Sequence, residues 1–318
     1  MSRNLIIGII AVVVIVGGVL VYTKNSGSPA TTSASIYCSS DGTLTDTKPI
    51  QSHRSYCLQS LSPVNTLQPN VPITYSFRIV DDQGNTLKDL DTVHEKIMHF
   101  IVVRKDLAEF QHIHADLNTL TGEFTVPDLI FPSGGAYRLF ADFTPTTSQM
   151  GPDGMKLTAT PFQDVNVGDL KKYSAKSIGT EDRNKTFGQY QISLALQPAQ
   201  ITKGSPESLT FSIQKDGKTV KNLEQYLGSL GHAIILREGT LEFIHAHAEG
   251  HRMSSMSATM SGTMPDVNQE GMKMDTGGPT IDFVTSFPES GKYKIFLQFQ
   301  HESKVVTADF VVHVQMRQ

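Results

Sequence analysis

Apolar and polar residues alternate along much of the chain, in short runs separated by turn residues. The clearest run extends from Ile73 to Val80. Side chains on a strand point alternately to opposite faces, so this pattern predicts a half-buried strand. Asp216-Gly217 follows a similar run and is a strong turn signal. No amphipathic helix is indicated beyond the N-terminal segment, and the pattern therefore predicts an all-β protein of the sandwich type.

The pattern occurs twice. Met98 to His114 and Gly231 to His247 each contain a β-branched apolar run, a charged turn and an aromatic-led run, which is typical of a β-hairpin. A Phe-Pro block with a following strand recurs later in each copy. We therefore predict two tandem β-sandwich domains, which fits a length of 318 residues. The predicted division is an anchor at 1–23, a tether at 24–50, a first domain at 51–168, a linker at 169–187 and a second domain at 188–318, with an insertion at 249–278.

Three histidines recur in each hairpin, with a constant offset of 133 positions (232 − 99, 245 − 112 and 247 − 114). The first set is His99, His112 and His114, and the second set is His232, His245 and His247. If the first turn centres between Asp106 and Leu107, His99 lies opposite His114, and His112 shares their face. Three imidazoles on one face are within reach of a single metal ion. Exposed or structurally buried histidines are the alternative, but the apolar identities change between the copies while all three histidines persist.

The insertion in the second copy is rich in methionine. Thioether sulfur is a soft ligand that selects Cu(I). The spacing from Met253 to Met264 also fits one face of a helix, in which case the methionines would be packing residues. Ser, Thr and Gly dominate between them and Pro265 would end such a helix, which favours ligand use. The candidate ligands of this segment are His251, Met253, Met256, Met260, Met264, Met272 and Met274.

The N-terminal segment bears on location. Leu5 to Tyr22 is almost wholly apolar and long enough to cross a bilayer. No small-x-small cleavage site follows it cleanly, which favours an uncleaved single-pass membrane anchor over a signal peptide, with the bulk of the chain extracytoplasmic. Cys38 and Cys57 would then form a disulfide, and a pair of thiolate ligands is the alternative. The net charge of −4, without a long basic run, argues against nucleic acid as a partner.

The chain resembles small extracytoplasmic β-sandwich modules of the CopC-like and YtkA-like kind, which are associated with copper. The resemblance lies in Met98 to Val103, Phe110 to His114, Phe131 to Tyr137 and their second copies. It implies immunoglobulin-like or cupredoxin-like sandwiches that bind copper outside the cytoplasm. The chain departs from the CopC-like pattern in lacking a mature N-terminal histidine ligand.

These observations lead to one main hypothesis, a membrane-anchored copper-binding protein for copper buffering, delivery or resistance. Its partners would be the metal ion, the membrane and a copper transporter or cuproenzyme. One alternative is a zinc-dependent hydrolase-like site, for which Glu109, Asp116, Glu242 and Glu249 are nearby acids or bases that no spacing singles out. The other is a cell-surface interaction module without metal. We assign no catalytic residue and expect no enzyme activity.

Overall fold

The structure is a computed structural model that describes residues 36–38, 44–46, 56–150, 156–248 and 277–317. The strands of its first half are β1 (Ile36–Cys38), β2 (Leu44–Asp46), β3 (Cys57–Ser60), β4 (Ile73–Val80), β5 (Leu90–Asp91), β6 (His99–Arg104), β7 (Phe110–Ile113), β8 (Asp116–Asn118), β9 (Glu123–Leu129), β10 (Gly135–Asp142), β11 (Thr144–Pro145) and β12 (Phe162–Val167).

The strands of the second half are β13 (Asn184–Phe187), β14 (Tyr190–Gln197), β15 (Ile201–Thr202), β16 (Pro206–Lys215), β17 (Lys218–Thr219), β18 (His232–Arg237), β19 (Phe243–His247), β20 (Thr280–Ser286), β21 (Gly291–His301) and β22 (Lys304–Gln315). Within the described ranges the helical content is one 3₁₀ turn, Leu170–Lys172. The predicted all-β fold is confirmed.

Each half of the chain folds around its own hydrophobic core. In the first half the sheet β3-β4-β9-β8 packs against the sheet β12-β10-β6-β7. In the second half β13, β14, β16, β17 and β20 form one sheet, which packs against the sheet β15-β22-β21-β18-β19. We call β12-β10-β6-β7 the first histidine sheet and β15-β22-β21-β18-β19 the second histidine sheet, because the hairpins β6-β7 and β18-β19 carry the repeated histidines.

The two histidine sheets also pack against each other, through the faces that point away from their own cores. A third apolar cluster joins them, which we call the interface cluster: Ile101, Val103, Leu107, Phe140, Ile178, Ile234, Leu236, Leu241, Phe296 and Val311. Every residue of β6 is buried, because one face of the strand contacts its own core and the other contacts the opposite sheet. The interface cluster therefore covers the same strand face that carries His99.

The predicted register of the hairpins is confirmed. Val103 pairs with Phe110 in the first hairpin, and His232 pairs with His247 in the second. Leu107 and Gly239 have positive φ angles in the two turns. The strand β13 lies inside the segment that the sequence assigns to the linker, so regular structure begins there before residue 188.

The N-terminal predictions fall mostly on residues that the structure leaves undescribed. Cys57 is buried and disulfide-bonded, and the sequence predicts Cys38 as its partner. Among the described residues, none belongs to a helix with the length and apolarity that a bilayer crossing requires. The Leu5 to Tyr22 run lies outside them.

Candidate metal centre

The hairpin geometry places the repeated histidines on the interface between the two halves. His99 shares a strand face with Ile101 and Val103, both members of the interface cluster, and His112 pairs directly with Ile101. In the second hairpin His245 pairs with Ile234, another member of that cluster. His247 lies two residues after His245 on β19 and therefore shares its face. His114 directly follows β7, and its ring lies 5.0 Å from that of His112 and 5.3 Å from that of His99.

Each histidine set is close enough to hold one metal ion. In both sets, one nitrogen from each of the three imidazoles lies within 4.8 Å of the other two. Nitrogens that bind one tetrahedral ion at about 2.0–2.1 Å would be about 3.4 Å apart, so small side-chain rotations would complete either site. We call His99, His112 and His114 the first triad, and His232, His245 and His247 the second triad.

The central histidine of each triad is oriented by a residue from the other half of the chain. His112 Nδ1 donates to Oε1 of Gln298 on β21 at 2.6 Å. His245 Nδ1 lies 2.6 Å from Oδ2 of Asp142 on β10. In a metal-binding histidine one ring nitrogen binds the metal, and the other usually donates a hydrogen bond to a carboxylate or carbonyl oxygen, which fixes the orientation of the ring. Both contacts leave Nε2 as the ligand atom.

Unpaired nitrogens at the triads fit a metal ion. Five buried ring nitrogens have no hydrogen-bond partner among the described residues: His99 Nε2, His114 Nε2, His232 Nδ1, His245 Nε2 and His247 Nε2. A buried polar atom without a partner costs about 1–3 kcal/mol, so such atoms are rare unless a ligand satisfies them. The second triad has one such nitrogen on each residue. In the first triad His99 Nδ1 lies 2.9 Å from His112 Nε2. Because a neutral His112 that donates from Nδ1 to Gln298 can only accept at Nε2, the proton of this bond belongs to His99 and lies between two potential ligand atoms.

A seventh histidine, His94, lies beside the second triad, and the sequence pattern does not indicate it. Its ring stacks on His247 with centroids 3.6 Å apart, and it approaches His232 edge-on at 5.6 Å. His94 occupies a tight turn with positive φ, closed by the Val93–Lys96 bridge. The equivalent turn in the second half contains Leu227 at the same place, so the surroundings of the two triads differ.

Burial keeps most of these imidazoles in the neutral form that binds metals. Loss of solvent lowers the pKa of His114 to about 4, with further contributions from the Lys96 ammonium and from His245. Loss of solvent lowers the pKa of His232 to about 3, and His245 adds to that decrease. Burial also lowers the pKa of His94, and it lowers those of His99, His112 and His247 well below the usual value. A neutral imidazole offers a free lone pair without first losing a proton.

Other predicted site residues lie elsewhere. His251 and the six methionines from Met253 to Met274 are outside the described residues. The Glu109 carboxylate accepts from the Ser133 hydroxyl and that of Glu242 from the Tyr293 hydroxyl, both near the hairpin turns and away from the triads. Asp116 is exposed on β8, and Glu249 is not described. Of the described carboxylates, Asp142 is the one bonded to a triad histidine, and the sequence pattern does not point to it or to Gln298.

Solved structures give only distant similarity. The native conformation of E. coli alpha-2-macroglobulin is 10% identical, with a TM-score of 0.26 over 89% of this chain and 15% of that one. The titin segment A168169 is 9% identical, with a TM-score of 0.18 over 80% and 94% of the two chains. Surface layer protein SbsC, domains 1–6, is 11% identical, with a TM-score of 0.21 over 84% and 28%. With TM-scores this low, none of the three shows a shared overall fold.

Among curated proteins, no sequence matches the chain. One protein-family model matches the chain, and the match covers both repeats. The match extends over residues 59–151 and 185–316, which together make up more than half of the sequence and include both triads. The chain therefore belongs to the family described as Domain of unknown function (DUF8832).

Proposed function

We propose that this protein binds copper at its two histidine triads and serves copper buffering, delivery or resistance. The observation that carries the proposal is the set of five buried imidazole nitrogens that have no hydrogen-bond partner among the described residues. Each triad contributes to this set, and each can bring three nitrogens to one ion. A purely structural role gives these buried nitrogens no side-chain or backbone partner among the described residues, whereas a bound ion would satisfy them.

Copper is favoured over other ions by the type of ligand. A site made of imidazoles suits copper, zinc, iron and nickel, and Cu²⁺ binds such donors most tightly among the divalent first-row metals. The methionine-rich insertion adds a preference for Cu(I), because thioether sulfur binds soft ions. Zinc is the alternative ion, since three imidazoles with an open fourth position are also a zinc site.

Binding is favoured over hydrolysis by the position of the carboxylates. A zinc hydrolase needs an acid or base placed to move a proton at the metal-bound water. Asp142 is already engaged with His245 Nδ1, where a carboxylate orients a ligand instead of reaching the substrate. An interaction module without metal would not need seven histidines gathered at a buried interface.

The proposal includes a location and partners. The apolar Leu5 to Tyr22 run would anchor the chain in a membrane, with both sandwiches outside the cytoplasm. The sandwiches would be of the immunoglobulin-like or cupredoxin-like type implied by the CopC-like and YtkA-like resemblance. A copper transporter or a cuproenzyme would receive or supply the ion.

The test is metal content after exposure to copper and zinc. The full-length chain is purified in mild detergent, challenged with each metal, passed over a desalting column and analysed by mass spectrometry. A variant with His112→Ala, His114→Ala, His245→Ala and His247→Ala should lose the copper that the wild type retains. His313→Ala is the matched control, because His313 is exposed on β22, away from the triads. Absence of metal from the wild type would overturn the proposal, and zinc alone would move it to the alternative ion.

A further inference from the structure

The two triads lie side by side. Ring centroids within a triad are 4.3–5.7 Å apart. Across the triads the separation is 5.1 Å from His99 to His245 and 6.0 Å from His112 to His245. His232 lies 6.3 Å from His99 and 6.5 Å from His112. Distances across the triads are thus almost as short as those within them, and the six imidazoles form one cluster.

We propose that the two triads form a single dinuclear copper centre, with one ion per triad and the two ions only a few ångströms apart. This inference rests on the metal-binding function proposed above and goes further, because that function would also be met by two independent sites. The first histidine sheet supplies three imidazoles and the second histidine sheet supplies three more. The centre exists only when the two halves of the chain are docked.

The orienting contacts support a shared centre, because each crosses from one half to the other. Asp142 pairs with His99 on the adjacent strand of its own sheet, yet its carboxylate contacts His245 of the opposite hairpin. Gln298 pairs with His232 in the same way and contacts His112. Neither triad therefore has its full set of partners within its own half.

A cavity of about 140 Å³ opens onto both triads. Its walls include His99 from the first triad, His245 and His247 from the second, and also His94 and Asp142. Since a water molecule takes about 30 Å³ in the liquid, the space is large enough for a few waters or one small anion. A hydroxide or another small anion bound there would lower the repulsion between two dipositive ions at close range.

The arrangement predicts an order of loading. The negatively charged carboxylate of Asp142 offsets the charge of an ion bound to His245, whereas the amide of Gln298 orients His112 without adding charge. The second triad should therefore take the first copper ion. The first triad then binds its ion against the charge already present, so its affinity should be lower.

Electron paramagnetic resonance tests the dinuclear arrangement directly. The full-length chain in mild detergent is loaded with Cu(II), metal is counted by mass spectrometry, and spins are counted in the same sample. The dipolar interaction between unpaired electrons falls with the cube of their separation, so ions this close broaden each other's signals. Exchange coupling through a shared bridging anion would pair the two spins and remove part of the signal. We expect two copper ions per chain with fewer visible spins than ions, or a half-field signal that isolated Cu(II) cannot give.

Single-site variants provide the reference spectra. His114→Ala and His247→Ala each disable one triad, and each should bind one copper ion with a full, ordinary spin count. His313→Ala should retain the coupled spectrum of the wild type. Two ions that are both visible as uncoupled spins would overturn the shared centre and leave the proposed function intact, as would a single ion per wild-type chain. A wild-type chain that binds no copper would instead overturn the proposed function itself.

Discussion

Asp142→Asn removes one negative charge from the second triad while keeping the size of the side chain. The Asp142 and His245 side chains are only 5% and 9% exposed, and they contact each other at 2.6 Å. Loss of such an orienting partner typically lowers metal affinity about 10- to 100-fold, which is about 1.4–2.7 kcal/mol. The amide of the variant can still accept from Nδ1, as Gln298 does for His112. We therefore expect an affinity loss of about tenfold for Asp142→Asn. For Asp142→Leu, whose side chain cannot accept a hydrogen bond, we expect a loss of about 100-fold.

A competition titration measures this effect. Cu(II) is titrated into wild type and variant against a coloured chelator, and two binding steps are fitted. The loss should appear in the step that belongs to the second triad, while the other step stays close to its wild-type value. Asp282→Asn makes the same chemical change on β20, where the carboxylate accepts from the Thr210 hydroxyl, and should leave both steps unchanged. Affinities equal to wild type in Asp142→Asn, or equal losses in both steps, would refute the assignment.

Three further predictions concern the interface, the buried histidines and the insertion. Phe296→Ala should lower the free energy of unfolding by about 3–5 kcal/mol in a urea titration, because Phe296 is 4% exposed in the interface cluster. Val284→Ala, at an exposed site, should change it by less than about 0.5 kcal/mol. Equal effects of the two variants would contradict the burial of Phe296 between the two histidine sheets. In the metal-free folded protein, His99 and His232 have pKa values below 6.5, so the unfolded chain takes up protons at a higher pH than the folded chain does. The free energy of unfolding should therefore fall as pH decreases below about 6.5, by about 1.4 kcal/mol per pH unit for each of these two histidines. A stability that stays flat between pH 7 and 5 would contradict this. Deletion of residues 252–275 should lower Cu(I) capacity and leave Cu(II) binding at the triads intact, and unchanged Cu(I) capacity would assign the methionines to packing.

Much of the fold could be predicted from the sequence, because strand periodicity and turn residues are local signals. The eight residues from Ile73 to Val80 form β4, as the alternation predicts. The hairpin register also followed from the sequence, since a turn centre fixes every pair that follows it. The duplicated histidines then fell on one face. Prediction succeeded here because the face of a strand is set by residues close in sequence.

The surface that packs against the histidine-bearing face of each hairpin could not be predicted in the same way. Phe100 to Val103 and Ala233 to Leu236 are continuous apolar runs, which indicate strands buried on both faces. That signal implies a second packing partner without identifying it. Asp142 and Gln298 contact the triads from other strands, and a histidine pattern does not reach them. Their common offset of 156 positions (298 − 142), the same as between the Phe-Pro blocks, was the available clue. His94 has no histidine counterpart, so comparison of the two copies passed over it.

The contacts across the interface are exchanged in pairs. Phe110 stacks on Phe296 with centroids 4.2 Å apart, and its counterpart Phe243 packs at 4.9 Å on Phe140, the counterpart of Phe296. Such reciprocity is the property of an isologous interface in a twofold homodimer, where one patch meets its own copy. In this protein both patches belong to one polypeptide, so their association is intramolecular and does not weaken on dilution. Because both copies lie in one polypeptide, each can also change independently, whereas the two subunits of a homodimer are identical. Asp142 and Gln298, different residues at equivalent positions, are one result.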